Sequence, residues 1–220
     1  MITIRELQKF YLQGESEIRV LNGIDLHVES GETLAVVGPS GSGKTTLLSI
    51  LAGLEQPSKG VVSVDGRDLT IMSEAALGEF RGRSLGIVFQ QFHLLPNLNA
   101  LENVSLPLDI QGVRNAEQRA VEALRSVGLE QRMAHLPSEL SGGECQRVAI
   151  ARALVVQPRV LLADEPSGNL DVQTGTQVMD LLFDLVIKNG TTLVLVTHNR
   201  EHALRCQRQI ELKGGRLVAS

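Results

Sequence analysis

No apolar run in this 220-residue sequence approaches the roughly 18 residues that a membrane-spanning helix needs. No charged, apolar and small-residue leader opens it, and Met1-Ile2-Thr3-Ile4 reads directly as an alternating strand. Cysteine occurs twice, at Cys145 and Cys206, without metal or disulfide spacing, which points to reduced thiols in a cytosol. Clustered basic charge is also missing. The net charge is −4, and the small pair Arg81 and Arg83 reads as a solvated turn, so a nucleic-acid surface is disfavoured. Internal repeats, low-complexity tracts and Pro-rich linkers do not occur. What remains is 43% hydrophobic and 21% charged, the composition of a globular protein with one domain or a domain and a subdomain.

Against that background, Gly38-Pro39-Ser40-Gly41-Ser42-Gly43-Lys44-Thr45-Thr46 fits Gly-x-x-x-x-Gly-Lys-Ser/Thr, the phosphate-binding P-loop pattern. Thr33 to Val37 reads as a short buried strand and Lys44 to Leu51 as the start of a helix, the order the pattern requires. Glycines let successive N–H groups converge on phosphate oxygens, and the helix N-terminus adds partial positive charge. Lys44 supplies a full charge for the terminal phosphates, and the Thr45 hydroxyl suits Mg²⁺. A ligand-free glycine-rich turn is the competing reading; the Lys-Thr pair and the flanking elements weigh against it.

A second acidic element follows. Arg159-Val160-Leu161-Leu162-Ala163 ends in Asp164-Glu165, so two carboxylates emerge at the C-terminal end of a buried strand, where α/β sheets place ligands. Asp164 suits Mg²⁺ held through its water shell, and Glu165 is then a candidate for polarising an attacking water. The alternative is an acid pair at a helix N-terminus, which Pro166 disfavours by turning the chain.

Ser141-x-x-Glu144 leads into Val148-Ala149-Ile150-Ala151-Arg152-Ala153-Leu154, a capping box opening an apolar helix. The same helix start, with Ser141, Gly142 and Gly143, is an anion site. Both readings stand together.

Alternating strands are expected at Ile2 to Leu7, Val20 to Val28 and Val61 to Val64. Residues from about 90 to 157 read as mainly helical, with one helix from Asn115 placing Ala120, Val121, Leu124 and Val127 on one face. A helix from Val172 to Ile187 and a buried strand from Thr191 to Val196 follow. Phe92 to Val104 carries more apolar residues than a solvated loop should. Some pack inside the helical part, or some form a socket for a partner beside Gln90, with Phe92, Leu94 and Leu98 including at least one contact.

Six segments, in order and spacing, resemble the ATP-binding subunit of an ABC transporter: Gly38 to Thr46, Gln90-Gln91, Leu140 to Glu144, Leu161 to Glu165, Ser167-Gly168-Asn169-Leu170-Asp171 and Thr197-His198. They cover nearly the whole chain. The resemblance implies an α/β fold in one ATP-binding domain, 1–220. A P-loop ATPase core with an N-terminal antiparallel β subdomain (about 1–89 and 158–220) would be interrupted by a helical subdomain (about 90–157) carrying the signature motif. It implies ATP and Mg²⁺ as cofactors, with Gly38 to Thr46 as Walker A, Leu161 to Asp164 as Walker B, and Thr45, Asp164 and Gln90 at the metal. Gln91 beside Gln90 leaves the register of that loop open. Glu165 matches the catalytic glutamate and His198 the histidine on the γ-phosphate. Tyr11, the only tyrosine, matches the aromatic that stacks on adenine, although an amphipathic ring at a strand end reads the same.

The resemblance further implies that Ser141-Gly142-Gly143-Glu144, through Ser141 and Gly143, binds the γ-phosphate of a second copy, giving a head-to-tail homodimer in the ATP state. It places an integral membrane permease against Gln90 to Val104, hence a peripheral position on the cytoplasmic face of the plasma membrane. Cys145 stands where relatives usually carry glutamine, and Ser167 where threonine is usual. The finer resemblance is to the branch serving lipoprotein release, macrolide or peptide export and cell-division regulation. It rests on Phe89 to Pro96, Ala100 to Val104 and Ala163 to Asp171. A transporter ATPase and a regulatory ATPase that gates a periplasmic or cell-wall activity would share every one of these residues. A soluble relative acting on DNA or ribosomes would need a long heptad coiled coil or two cassettes, and the sequence carries neither.

Overall fold

The structure is a computed structural model that describes residues 1–14 and 16–218. Met1–Arg81 with Thr192–Ser220 forms one compact unit, and Gly82–Thr191 forms another. The chain begins with β1 (Ile2–Gln13), β2 (Ser16–Val28), β3 (Thr33–Val37), α1 (Lys44–Leu51), β4 (Lys59–Val64), β5 (Arg67–Asp68) and α2 (Glu74–Ser84). It continues through β6 (Leu85–Val88), α3 (Ala100–Ile110), α4 (Ala116–Ser126), α5 (Gly142–Leu154), β7 (Val160–Asp164) and α6 (Val172–Asn189). The last elements are β8 (Thr192–Val196), α7 (Arg200–Leu204), β9 (Arg208–Lys213) and β10 (Arg216–Val218).

In the first unit, β2, β1, β4 and β5 form an antiparallel sheet in that order. Alternation fixes its register: Ile2 faces Val28, Ile4 faces Leu26 and Leu7 faces Ile24, and all six are buried. A register shift between Ile4 and Leu7 coincides with Glu6 at φ 50, so a bulge resets the alternation there. Both strands run beyond the expected spans, because their far ends, at Leu12 and Ile18, are exposed and carry no alternating signal.

The second set of strands in this unit is parallel-dominated. β3 pairs in parallel with β8 on one side and β9 on the other, and β10 closes antiparallel on β9. A strand flanked on both edges and covered on both faces reads as a continuous apolar run, as Leu34, Ala35 and Val36 do. α1 buries Leu47, Leu48, Ile50 and Leu51 and packs on β2, β4 and β8. Each such side chain contributes about 1.5–3 kcal/mol by leaving water. Arg81 and Arg83 do not lie in a turn: both are on α2, and Arg81 Nη1 donates to Gly53 O at 2.7 Å.

The second unit pairs β6 with β7 in parallel and gathers α3, α4 and α5 into a packed group, with α5 also against β6 and α6. α4 turns Ala116, Ala120, Leu124 and Val127 inward, while Val121 of the expected face is half-buried. α3 starts inside the apolar stretch from Phe92 to Val104, because Asn99 and Glu102 form a capping box. Buried Asn103 then shapes the preceding loop, donating through Nδ2 to Leu95, Leu98 and Asn99 carbonyls and accepting from Leu95 N–H. Among the described residues no helix is long and apolar enough to cross a membrane.

Candidate functional site

Four features of the first unit converge on phosphate chemistry. β3 ends at Val37, and the loop from Gly38 to Gly43 delivers the chain into α1 at Lys44. Gly38 has φ 147, and a Cβ there would lie 2.1 Å from the Leu212 carbonyl oxygen, so no other residue fits without moving β9. α1 has Gly43 as its N-cap and no side-chain cap, whereas α3, α5 and α6 are capped by Asn99, Ser141 and Asp171. The orphan N–H groups of α1 are therefore left for an anion. Ser42 is 4% exposed and its Oγ has no hydrogen-bond partner among the described residues. Lys44 Nζ donates to Gly38 O and Pro39 O at 2.9 Å each, which holds its charge at the loop. Thr45 and Thr46 follow in the first turn of α1, so Gly38, Pro39, Ser40, Gly41, Ser42, Gly43, Lys44, Thr45 and Thr46 form one continuous cradle. An uncapped helix start, a buried hydroxyl and a tethered ammonium fit the triphosphate of ATP.

His198 is exposed after β8 and lines, with Gly38, Pro39 and Glu211, a groove of about 560 Å³. The structure thus brings the sequence-predicted histidine to the P-loop. Tyr11 is 40% exposed near the far end of β1. Its hydroxyl donates to Glu55 Oε1, and Lys9 Nζ, 3.0 Å from the same carboxylate, lies 4.9 Å from the ring centroid. Burial, and then Glu55, push the Tyr11 phenol above its ordinary value.

In the second unit, Asp164 is the last residue of β7, and Glu165 follows in the left-handed region at φ 46. A glutamate held there is strained, as residues at reacting centres often are. The next helix begins only at Val172 with Asp171 as its cap, so the two acids are not a helix N-terminal pair. Gln90 meets the chain beyond Glu165: its Nε2 donates to Asn169 Oδ1 at 3.2 Å, and Asn169 Nδ2 donates to Gln90 O at 3.0 Å. With the amide nitrogen so used, Oε1 is the atom Gln90 has for a cation. Within the second unit Asp164 and Gln90 both carry side-chain oxygens, and no group of three His, Cys, Asp or Glu side chains gathers among the described residues. Oxygen donors of this kind suit a Mg²⁺ ion that takes its remaining ligands from water and phosphate.

Ser141 opens α5 as expected. Glu144 N–H donates to Ser141 Oγ at 3.2 Å, and Ser141 N–H donates to Glu144 Oε2 at 2.8 Å. Glu144 Oε1 also takes Arg132 Nε at 2.9 Å. Gly143 is sterically fixed, since a Cβ there would approach Thr174 Cγ2 of α6 to 2.5 Å. Cys145 and Cys206 are buried free thiols; burial raises both, Cys206 to about 12, so neither is a ready nucleophile.

Beside this helix start lies a groove of about 520 Å³ lined by Gln91, Phe92, Leu94, Leu140 and Cys145 among others. Phe92, Leu94 and Leu98 are half-buried. Reading the sequence alone missed the pairing of Asn169 with Gln90, since the two lie far apart in the chain and the bond depends on the fold. The cap at Asn99-x-x-Glu102 was missed as well, although its three-residue spacing is a local signal that could have found it.

Residues 21–168 match the family model described as ABC transporter. A protein of Escherichia coli (strain K12) named as an uncharacterized ABC transporter ATP-binding protein, YbbA, is 51% identical over 219 residues, covering 99% of this chain and 96% of that one. The lipoprotein-releasing system ATP-binding protein LolD of Syntrophus aciditrophicus (strain SB) is 49% identical over 220 residues, covering 99% of each. Among solved structures, the dimeric post-hydrolysis state of the ATP-binding cassette MJ0796 bound to ADP and Pi superposes with a TM-score of 0.92 at 40% identity. That match covers 100% of this chain and 97% of the other.

Proposed function

Because this chain belongs to the ABC transporter family, as an ATP-binding subunit that hydrolyses ATP, we propose that two copies close head to tail on Mg·ATP and that the cycle drives a membrane partner. The observation that carries this is the presence in one chain of two glycine-flanked helix starts: the uncapped α1 behind the P-loop, and α5 at Ser141-Gly142-Gly143, which this reading takes as a second anion site beside its own cap. One triphosphate already has a full cradle at Gly38 to Thr46, so the second helix start serves the nucleotide of another copy.

In this reading Lys44 neutralises the terminal phosphates, and Thr45, Asp164 and Gln90 hold Mg²⁺, which supplies charge stabilisation at the phosphates. Glu165 orients the attacking water, and His198 contacts the γ-phosphate from the groove it shares with Gly38. Tyr11 stacks on adenine with its hydroxyl anchored to Glu55. Ser141, Gly142, Gly143 and Glu144 form the face offered to the second copy. The groove at Phe92 and Leu94 receives an integral membrane permease, with the chain peripheral on the cytoplasmic face of the plasma membrane. Similarity to the lipoprotein-releasing system protein LolD supports work on lipid-linked cargo; export, or force transmitted through the membrane, would use the same cycle.

The test is Glu165→Gln in Mg·ATP. A chain that retains ATP and elutes as a dimer is expected, with the monomer restored on removing nucleotide. A strictly monomeric protein with bound ATP, alone and with its membrane partner, would sink the shared-site model.

A further inference from the structure

The loop through Gln90 is held by its backbone carbonyls. Gln146 Nε2 donates to Phe89 O at 3.3 Å. Asn169 Nδ2 donates to Gln90 O at 3.0 Å. Arg152 donates through Nη2 to Phe92 O at 2.9 Å and through Nη1 to His93 O at 2.6 Å. Gln146 and Arg152 both belong to α5, the helix that begins at Ser141.

Gln146 is 0% exposed, its Nε2 has one partner, and its Oε1 has no hydrogen-bond partner among the described residues. A half-satisfied carboxamide in a helix core is less stable than an apolar side chain of the same shape, so the use of glutamine there points to the one bond it donates. Burial lowers the Arg152 guanidinium from its ordinary value, and its planar fork spans two nearby carbonyls as a point charge cannot. The loop so held is strained: His93 sits at φ 47 with its ring edge-on to Phe89, centroids 4.9 Å apart.

We propose that Gln146 and Arg152 are positioning residues that fasten the Gln90 loop to α5, so that movement of the Ser141 helix start reaches Gln90 through directed hydrogen bonds. The inference rests on the reading of Gln90 given above. Apolar packing between helix and loop would let one slide on the other. Donors on carbonyls 89, 92 and 93 transmit displacement along the chain on both sides of Gln90.

The experiment compares Gln146→Met and Arg152→Lys with Gln90→Ala in the full chain. It uses hydrogen–deuterium exchange over residues 89–94, thermal unfolding, and phosphate release as a function of ATP. Gln146→Met is expected to keep or raise the melting temperature while exchange over 89–94 accelerates. Its kcat should fall about tenfold with KM for ATP within about twofold. Arg152→Lys should show the same exchange and kcat signature, and adding Gln90→Ala to either should cost nothing further. If Gln90→Ala lowers kcat while both positioning variants leave exchange and kcat at wild type, or if their kcat falls only in step with melting temperature, the proposal is overturned. A silent Gln90→Ala would instead overturn the reading of Gln90, and loop exchange alone would then decide whether the fastening exists.

Discussion

Ser141 and Glu144 satisfy each other across the first turn of α5: Ser141 Oγ accepts from the Glu144 N–H, and the Ser141 N–H donates to Glu144 Oε2. The hydroxyl hydrogen is used by neither bond. A serine in a capping box can therefore cap its own helix and still donate to a phosphate oxygen, so the two readings of this segment do not compete chemically.

Substitution at Ser141 separates the two roles. Ser141→Asp keeps a cap acceptor but brings negative charge and no donor, so melting should stay near wild type while ATP-driven dimerisation in the Glu165→Gln background is lost. Ser141→Ala should lose dimerisation and, in addition, about 1 kcal/mol of stability, read as a melting shift of about 2–4 °C. Sizing in Mg·ATP and thermal unfolding measure the two independently. Retained dimerisation in Ser141→Asp would show that the hydroxyl does not reach phosphate.

Acid should weaken the same turn. The Ser141 backbone N–H, more than any other cause, holds the Glu144 carboxyl below its ordinary 4.5, with the Ser141 side chain and Arg132 adding to it against partial burial. A depressed folded value means that the stabilisation is present above 4.5 and is lost as pH falls through the folded value. Glu144→Gln should accordingly melt below wild type at neutral pH, and the gap should close on acidification. A gap that is constant across that range would show that the charge contributes nothing.

Much of this was legible in the chain, for identifiable reasons. Thr33 to Val37 was found with its observed bounds and the helix start at Lys44 was found too, because a strand buried on both faces and a P-loop helix start each carry a local signal. The box at Ser141 and Glu144 is likewise a three-residue spacing. The far ends of β1 and β2 were missed because exposed strand ends lose their alternation, and Arg81 was misplaced because its partner, Gly53 O, is set by tertiary packing. Gln146, Arg152 and Asn169 gave no local sign of their role. Each acts on a backbone carbonyl, and a carbonyl has no side-chain identity to read.

The apolar groove beside Gln90 makes a separate expectation. Phe92 and Leu94 are half-buried and line it together with Leu140 and Cys145. Phe92→Glu and Leu94→Glu should release the membrane partner on co-purification and abolish coupled ATPase activity, because a carboxylate buried against an apolar partner lacks compensation. Intact assembly and coupled turnover in both variants would remove the groove from the interface.

Lys44 tests the P-loop itself. Its ammonium bridges the carbonyls of Gly38 and Pro39, so it is positioned at the mouth of the loop before any phosphate arrives, and moving to phosphate exchanges two neutral acceptors for charged ones. Lys44→Ala removes both the charge and that tether. Fold stability should change little, since the tether is two partly exposed bonds and α1 keeps Leu47, Leu48, Ile50 and Leu51 in the core. Binding of ATP and phosphate release should both be lost, a fall of at least about a hundredfold in turnover if the ammonium supplies about 3 kcal/mol at the transition state. Lys44→Arg should rescue little, because a guanidinium is larger and planar where the loop closes around a compact point charge. Wild-type turnover in Lys44→Ala would show that ATP is bound elsewhere. Loss of turnover together with a collapsed melting temperature would show that the lysine supports the loop's structure and leave the charge argument without support.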